Sequence, residues 1–310
     1  MAHPGAGRPA RISVSDARAP RRAVALLAAL LSVVTAPLSA SREPGLSIAT
    51  RERALQPGEV VRVDIRSDEP LEAVHVAALG HTSGAHVVSD GVWRALIGID
   101  LDVPPGEHTV QVDAATAGGV PVTGTVTLTV IPKEFPTRTL HVDPRFVTPP
   151  RRALARIRQE QERLARLFAD ASSPPAWDGR FVVPISGTMV SGFGVRSVFN
   201  HQPRAPHSGA DFASPTGTPI HAPNAGRVVL AAALYYTGNT VVIDHGAGLV
   251  SLFAHLSRTL VKEGDQVTRG EVIGKVGATG RVTGPHLHWT VRLNGARVDP
   301  LSLVYATEDL

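Results

Sequence analysis

The stretch TGRVTGPHLHWTV, residues 279–291, contains two histidines one residue apart, His286 and His288. Side chains two residues apart on a β-strand point to the same face, and their Cα atoms are roughly 6.6 Å apart. If the end of this stretch is a strand, both imidazoles can therefore serve one site. The same pair also fits a half-buried strand whose histidines have no chemical role. The surrounding sequence is needed to choose between the two.

The region from residue 181 to about residue 303 is predicted to consist of short strands joined by glycine-rich turns. The strand candidates are RVVLAAAL, NTVVIDHG, LVSLFAHL and LHWTVRL. Seven of the thirteen histidines of the chain lie here: His201, His207, His221, His245, His255, His286 and His288. We expect His201, His221 and His245 to be structural or loop residues, and for His245 the alternative is a neighbour of the site.

The segment PHSGADF places His207 and Asp211 four residues apart. The neighbouring glycine and proline argue against a helix, and on a straight strand the two residues would be about 13 Å apart. Two ligands of one zinc ion must lie within a few ångström of each other, because each bond is about 2 Å long. We therefore expect the chain to turn between them at Gly209, where glycine permits the turn.

A catalytic zinc ion keeps three protein ligands and one water. His207, Asp211 and one member of the H-x-H pair make up that number, and the residues alone leave open which member it is. The chain has no H-E-x-x-H motif, so no glutamate on a helix is available as a general base. Neutral histidines can do that work. The candidates are His255 and the second member of the pair.

Five segments of this region resemble, in order and spacing, the lysostaphin-type (LytM-like) zinc endopeptidases of cell-wall metabolism. They are VSGFGVR, HSGADF, GNTVVIDHGAGLVSLFAHLS, VKEGDQVTRGEVIGKVGATG and TGPHLHWTV. The resemblance implies that His207, Asp211 and His288 bind Zn²⁺, and that His255 and His286 are catalytic histidines that do not bind the metal. It also implies a small antiparallel β-sheet core with a groove between loops, and hydrolysis of peptide bonds in peptidoglycan.

Two other functions compete with this one. An inactive relative that activates another wall hydrolase would be expected to have lost some of the five residues, and this chain keeps all of them. A biotinyl- or lipoyl-type carrier would use Lys275 as its attachment residue, but the usual flanking methionines are missing. The bond cut is open between pentaglycine, D-Ala–diamino-acid and L-Ala–D-Glu bonds. We favour a crosslink, because no separate wall-binding repeat is visible.

Residues 41–132 are predicted to form an immunoglobulin-like β-sandwich. The segments VVRVDIRS, EAVHVAAL, VWRALIGID, HTVQVDAAT and TGTVTLTVI are rich in β-branched residues, and turn signals such as LQPGE and VPPGEH separate them. The predicted fold class is therefore mainly β: this sandwich, a connecting helix, and then an antiparallel β-sheet peptidase domain of the LytM type.

Residues 133–172 are predicted to be a connector with one helix, and residues 173–310 the peptidase domain. We expect the helix to run from about Thr148 to Ala171, with Thr148 as its cap and Pro149 at its first position. Its apolar face is expected to contain Leu154, Ile157, Leu164 and Phe168.

Residues 1–40 are predicted to be a signal peptide. Five arginines precede the apolar run AVALLAALLSVVTA, which at 14 residues is short for a membrane span of roughly 20 residues. These 40 residues account for a charge equal to the +4 of the whole chain, so no nucleic-acid partner is indicated. The chain has no cysteine, which excludes disulfides and cysteine-ligated zinc. We expect an exported protein, periplasmic or associated with the cell envelope, whose partner is peptidoglycan and which has no stable membrane span after signal cleavage.

Overall fold

The computed structural model describes residues 45–89, 91–169 and 174–310, and all of them belong to one compact unit. The predicted signal peptide lies outside the described residues. The prediction of a mainly β fold built from antiparallel sheets is confirmed. Within the described ranges, no helix is both long and apolar enough to cross a membrane.

Two four-stranded antiparallel sheets form the upstream region. The strands are β1 (Leu46–Arg51), β2 (Val60–Ser67), β3 (Leu71–Ala78), β4 (His81–Gly84), β5 (His86–Ser89), β6 (Val92–Gly98), β7 (Gly106–Thr116) and β8 (Pro121–Val130). Their orders are β1-β2-β6-β5 and β4-β3-β7-β8. One apolar cluster contains residues of both sheets, including Val63 and Val112, so the sheets form a sandwich. The strand order is compatible with the immunoglobulin-like arrangement, which stays a prediction.

The connector differs from its prediction in three ways. It contains a strand, β9 (Thr137–Leu140), and a single 3-10 turn over Pro144–Phe146, before helix α1 (Arg151–Ala169). The helix begins at Arg151, later than predicted, and Pro149 and Pro150 both lie before its first residue. Leu154 is 46% exposed, and Ala153 and Ile157 are the buried residues of the helix.

The remaining strands build one eight-stranded sheet and two small ones. They are β10 (Thr188–Ser191), β11 (Arg196–Phe199), β12 (Gln202–Pro203), β13 (Gly209–Ala213), β14 (Pro219–His221), β15 (Gly226–Leu234), β16 (Gly238–Gly246), β17 (Leu249–Leu256), β18 (Arg258–Thr259), β19 (Gln266–Val267), β20 (Val272–Lys275), β21 (His286–Leu293) and β22 (Ala296–Val298), followed by helix α2 (Pro300–Ala306). The large sheet has the order β10-β13-β21-β17-β16-β15-β19, and β22 pairs with β21. The small sheets are β14-β20-β18 and β12-β11-β9, and in the latter β9 runs parallel to β11.

Strand β17 is buried along its whole length, which explains its continuous apolar run. Leu249 and Phe253 face the larger apolar cluster, whereas Val250 and Leu252 face a second cluster on the other side of the sheet. Side chains of α1, including Leu164 and Phe168, pack against that second cluster. The connecting helix therefore covers the face of the sheet that would otherwise be exposed.

The sandwich and the large sheet share an apolar contact. Val60 of β2 belongs to the same buried cluster as Trp289 and Leu303, and its backbone N–H donates to Ser302 Oγ over 2.8 Å. Arg62 donates to the carbonyl oxygen of Ala306. Because the two regions share these contacts within one compact unit, the domain boundaries at residues 132 and 172 stay a prediction.

Candidate metal centre

The pairing of β13 with β21 brings two of the predicted residues face to face. Asp211 lies directly opposite His288 in the antiparallel register, and Ala213 lies opposite His286. On its other side, β21 pairs with β17, where Ala254 lies opposite His288 and precedes His255. Residues far apart in sequence thus meet because three neighbouring strands of one sheet carry them.

His207 reaches the site from just before β13. Its backbone N–H donates to the carbonyl oxygen of Val195, and its Nε2 lies 3.1 Å from Asp211 Oδ1. The expected turn at Gly209 is wrong, because Gly209 is already part of β13. The need for glycine there is spatial: a Cβ would lie 2.3 Å from the carbonyl oxygen of Trp289 on β21.

Three ligand-type atoms converge at one point. His207 Nε2 lies 2.9 Å from His288 Nδ1, and His288 Nδ1 lies 2.8 Å from Asp211 Oδ1. His207 Nδ1 donates to the carbonyl oxygen of Gly192 over 2.9 Å, and since a carbonyl only accepts, a neutral His207 ring carries a lone pair on Nε2.

This donor set fits a cation. Ligand atoms about 2.0 Å from a tetrahedral zinc ion are about 3.3 Å from each other, so shifts of a few tenths of an ångström would accommodate the ion. An imidazole lone pair and a carboxylate oxygen at such close range repel each other unless a proton or a metal ion lies between them. Among the described residues, His207, Asp211 and His288 form the one group of histidine and acidic side chains with the spacing of a metal site.

Burial and neighbouring charges set the protonation of this group. Burial raises the pKa of the Asp211 carboxyl, but its contacts with His207 and His288 outweigh burial and hold that pKa well below its usual value. Burial lowers the pKa of His288, against the opposing effect of Asp211. A carboxylate and neutral imidazoles are the forms in which these side chains bind a metal ion.

His255 and His286 lie beside the three converging atoms without joining them. Their ring centroids are 4.9 Å apart, and His286 Nε2 is 3.8 Å from Asp211 Oδ1. His255 Nδ1 donates to the carbonyl oxygen of Thr279, and His286 Nδ1 donates to that of Gly284, each over 2.8 Å. In the neutral form both rings therefore carry their lone pair on Nε2. Burial, assisted by His288 and His286, lowers the pKa of His255 to about 3.

These side chains line a cleft of about 390 Å³, and one wall of it comes from the connector. Arg138, Leu140 and Val142, on β9 and just after it, contribute to that wall. Arg138 Nη2 lies 3.7 Å from Asp211 Oδ2. The local sequence around Arg138 does not indicate that it lies in the cleft, because this position depends on the parallel pairing of β9 with β11.

The remaining histidines of the region lie elsewhere. His245 is inside β16, is fully buried, and contacts the Ala225 carbonyl oxygen and Ser251 Oγ rather than the converging atoms. His221 contacts the carbonyl oxygen of Gly270, and His201 lies against the ring of His141. Lys275 ends a strand that is paired on both sides.

Residues 205–300 match the profile described as peptidase family M23. The peptidoglycan DD-endopeptidase ShyA of Vibrio cholerae is 48% identical over 97 residues, which are 31% of this chain and 23% of that protein. The DD-carboxypeptidase/endopeptidase Mpg of Neisseria meningitidis is 46% identical over 104 residues, which are 34% of this chain and 24% of that protein. The chain thus matches about a quarter of the length of these curated relatives.

A solved structure matches over a much larger part of the chain. A crystal structure from Pseudomonas aeruginosa, described as a peptidase M23, superposes with a TM-score of 0.62 at 36% identity. The match covers 81% of this chain and 96% of that one, so it extends upstream of the segments that contain the site residues.

Proposed function

Because this chain belongs to peptidase family M23, we propose that it is a zinc-dependent endopeptidase that hydrolyses peptide bonds of peptidoglycan. The observation that carries the proposal is the convergence of three ligand atoms in a cleft that also contains two further histidines. That combination provides a place for a metal ion and for proton transfer within one small volume.

His207, Asp211 and His288 would hold the zinc ion through Nε2, a carboxylate oxygen and Nδ1, respectively. A zinc ion with three protein ligands supplies Lewis acidity and lowers the pKa of a coordinated water to about 7. The hydrogen bond from His207 Nδ1 to the carbonyl oxygen of Gly192 orients that ring and leaves its Nε2 unprotonated, and the hydrogen bond between His288 Nε2 and Thr290 Oγ1 orients the second ring.

His255 and His286 would move protons and stabilise charge on the substrate. Each ring is held through Nδ1 by a backbone carbonyl, so Nε2 is free to accept or donate a proton in the cleft. The depressed pKa of His255 keeps that ring neutral before the reaction, as a proton acceptor must be. His286 Nε2, next to Asp211, is placed to take up a proton and, once the ring is charged, to donate to the developing oxyanion or the leaving amine.

The substrate is proposed to be a peptide crosslink of peptidoglycan, at a D-Ala–diamino-acid bond. The names of the Vibrio and Neisseria relatives support a DD-bond. Export to the periplasm or cell envelope belongs to the same proposal, since peptidoglycan lies outside the cytoplasmic membrane.

The experiment is to incubate the purified protein with defined crosslinked muropeptides and to identify the products by mass spectrometry. We expect cleavage at the crosslink, loss of cleavage after chelation, and recovery when zinc is added. The Asp211→Ala variant is the matched control, because it lacks one metal ligand and should stay inactive after zinc addition. A wild-type protein that binds zinc but cuts no muropeptide would contradict the proposal and favour an activator of another wall hydrolase.

A further inference from the structure

Arg281 lines the cleft close in sequence to the residues that hold and form the histidine pair. It lies in the segment between Thr279, whose carbonyl oxygen holds His255, and His286. It also borders the same cleft as those two histidines. A charge at this position therefore borders the same cleft as the residues to which we assign proton transfer.

The guanidinium of Arg281 is flanked by aromatic rings and has no acidic partner. Its Cζ lies 4.8 Å from the ring centroid of Tyr236 and 5.0 Å from that of Phe199. Across the described ranges, no carboxylate makes a hydrogen bond or ion pair with it. Burial, and then the like charge of Arg204, lower its pKa, yet an arginine side chain stays protonated at neutral pH.

The surroundings of Arg281 separate two possible roles. Contacts with aromatic rings can hold an arginine for purely structural reasons. Arg292 is such a case, since its guanidinium lies over the ring of Phe168 on α1 and away from the cleft. Arg281 differs because it borders the cleft, where Asp211 is the one carboxylate among the lining residues and already has Arg138 and two histidines as neighbours. Its rigid fork of N–H donors is thus left for a ligand.

We propose that Arg281 binds a free carboxylate of the substrate peptide, next to the bond that is cut. This inference rests on the proposed function. In a crosslink made through one amine of a diamino acid, the carbon that bears that amine can carry a carboxylate of its own. A planar guanidinium recognises such a group through two parallel hydrogen bonds. Arg281 would then select peptides that carry the negative charge and would fix the register of the scissile bond.

The test compares two crosslinked peptides that differ only at this carboxylate, free in one and converted to the primary amide in the other. Because hydrogen bonds to charged groups are the stronger kind, amidation should lower kcat/KM of the wild type by roughly 10–100-fold. Arg281→Met should show the same loss on the free acid, and no further loss on the amide. Arg281→Lys should recover part of the activity on the free acid. Arg292→Met removes a half-buried arginine that lies against an aromatic ring outside the cleft, and it should cleave both peptides as the wild type does.

Equal loss on both peptides in Arg281→Met, with the wild type indifferent to amidation, would overturn the carboxylate site and leave a structural role. Thermal unfolding of every variant shows whether a loss comes from misfolding. If Arg281→Met is misfolded, the comparison of the two peptides is made with Arg281→Lys instead, and a preference for the free acid supports the carboxylate site. Calorimetric titration of the zinc-loaded wild type separates this inference from the proposed function. If neither peptide is cut but the free acid binds more tightly than the amide, the proposed function fails and the carboxylate site stands. Equal binding of the two peptides overturns the site.

Discussion

The two walls of the cleft are built in different ways. One wall consists of neighbouring strands of a single antiparallel sheet, where Asp211 and His288 are directly opposite each other. The other comes from the connector, whose strand β9 lies beside the cleft only because it pairs in parallel with β11. The first, which we call the histidine wall, contains Asp211 and His288 and has a short sequence signature. The second, which we call the connector wall, contains Arg138, Leu140 and Val142 and has none. The first is expected to carry the chemistry and the second to adjust it.

The largest effect is expected at the histidine wall, for His288→Ala. This change removes one of three proposed metal ligands, so zinc and activity should be lost together, to below detection in both assays. Zinc content measured by elemental mass spectrometry and muropeptide cleavage measured on the same folded sample check the expectation. Retained zinc in His288→Ala together with lost zinc in His286→Ala would reverse the assignment within the pair.

A large but smaller effect is expected for His286→Ala and His255→Ala. Both variants keep the three ligand residues and lose a group for proton transfer, which contributes typically about 10²–10⁴-fold to the rate. The zinc content should equal that of the wild type while kcat falls by that factor. Unchanged cleavage in both variants would show that the histidine wall does not work as proposed.

A third prediction concerns a histidine of the same sheet outside the cleft. Burial lowers the pKa of His245 to about 4. Because its ordinary pKa is about 6.5, the unfolded chain takes up the proton first as the pH falls, and stability is lost between pH 6.5 and 4. Urea unfolding at pH 7.5 and pH 4.5 should show that the wild type loses roughly 2–3 kcal/mol more than His245→Gln. Equal losses in the two proteins would assign the acid sensitivity to other groups.

The smallest effect is expected at the connector wall, for Arg138→Met. Arg138 neighbours the second oxygen of Asp211, and groups that orient a metal ligand typically matter by about 10-fold or somewhat more. Cleavage at saturating zinc should fall by about 10-fold, and zinc should exchange faster with a competing chelator. Arg196→Met, an exposed arginine on β11, is the matched control and should behave like the wild type. A loss as large as that of His286→Ala would remove the distinction between the two walls.

Much of the fold was predictable because buried strands have a clear sequence pattern. Strand β17 coincides with the predicted segment LVSLFAHL, and β2 with VVRVDIRS. Strands β1, β4 and β5 were missed; they lie at sheet edges, and β4 and β5 have four residues each, so burial imposes little pattern on them. The helix start was misplaced because prolines at 149 and 150 resemble a first turn but lie before it.

The candidate site divides along the same line. The structure brings together His207, Asp211, His255, His286 and His288, and their individual roles stay predictions. Arg281 is part of the stretch TGRVTGPHLHWTV, but a single arginine has no motif spacing that would identify it as a binding residue. Arg138 could not be predicted, because parallel pairing across the connector depends on the register of two short strands rather than on a local motif.

A gene fusion in the connector that replaces the sandwich by a foreign binding module would remove non-covalent contacts of the C-terminal region. Arg297 would lose its hydrogen bonds to Asp100, and Ser302 would lose the backbone N–H of Val60. The surface that now fits against Gly98, where a Cβ would lie 2.8 Å from Val298 Cγ1, would meet solvent. Recombination that exchanges the sandwich alone should therefore be poorly tolerated, and we expect the two regions to be inherited as one block.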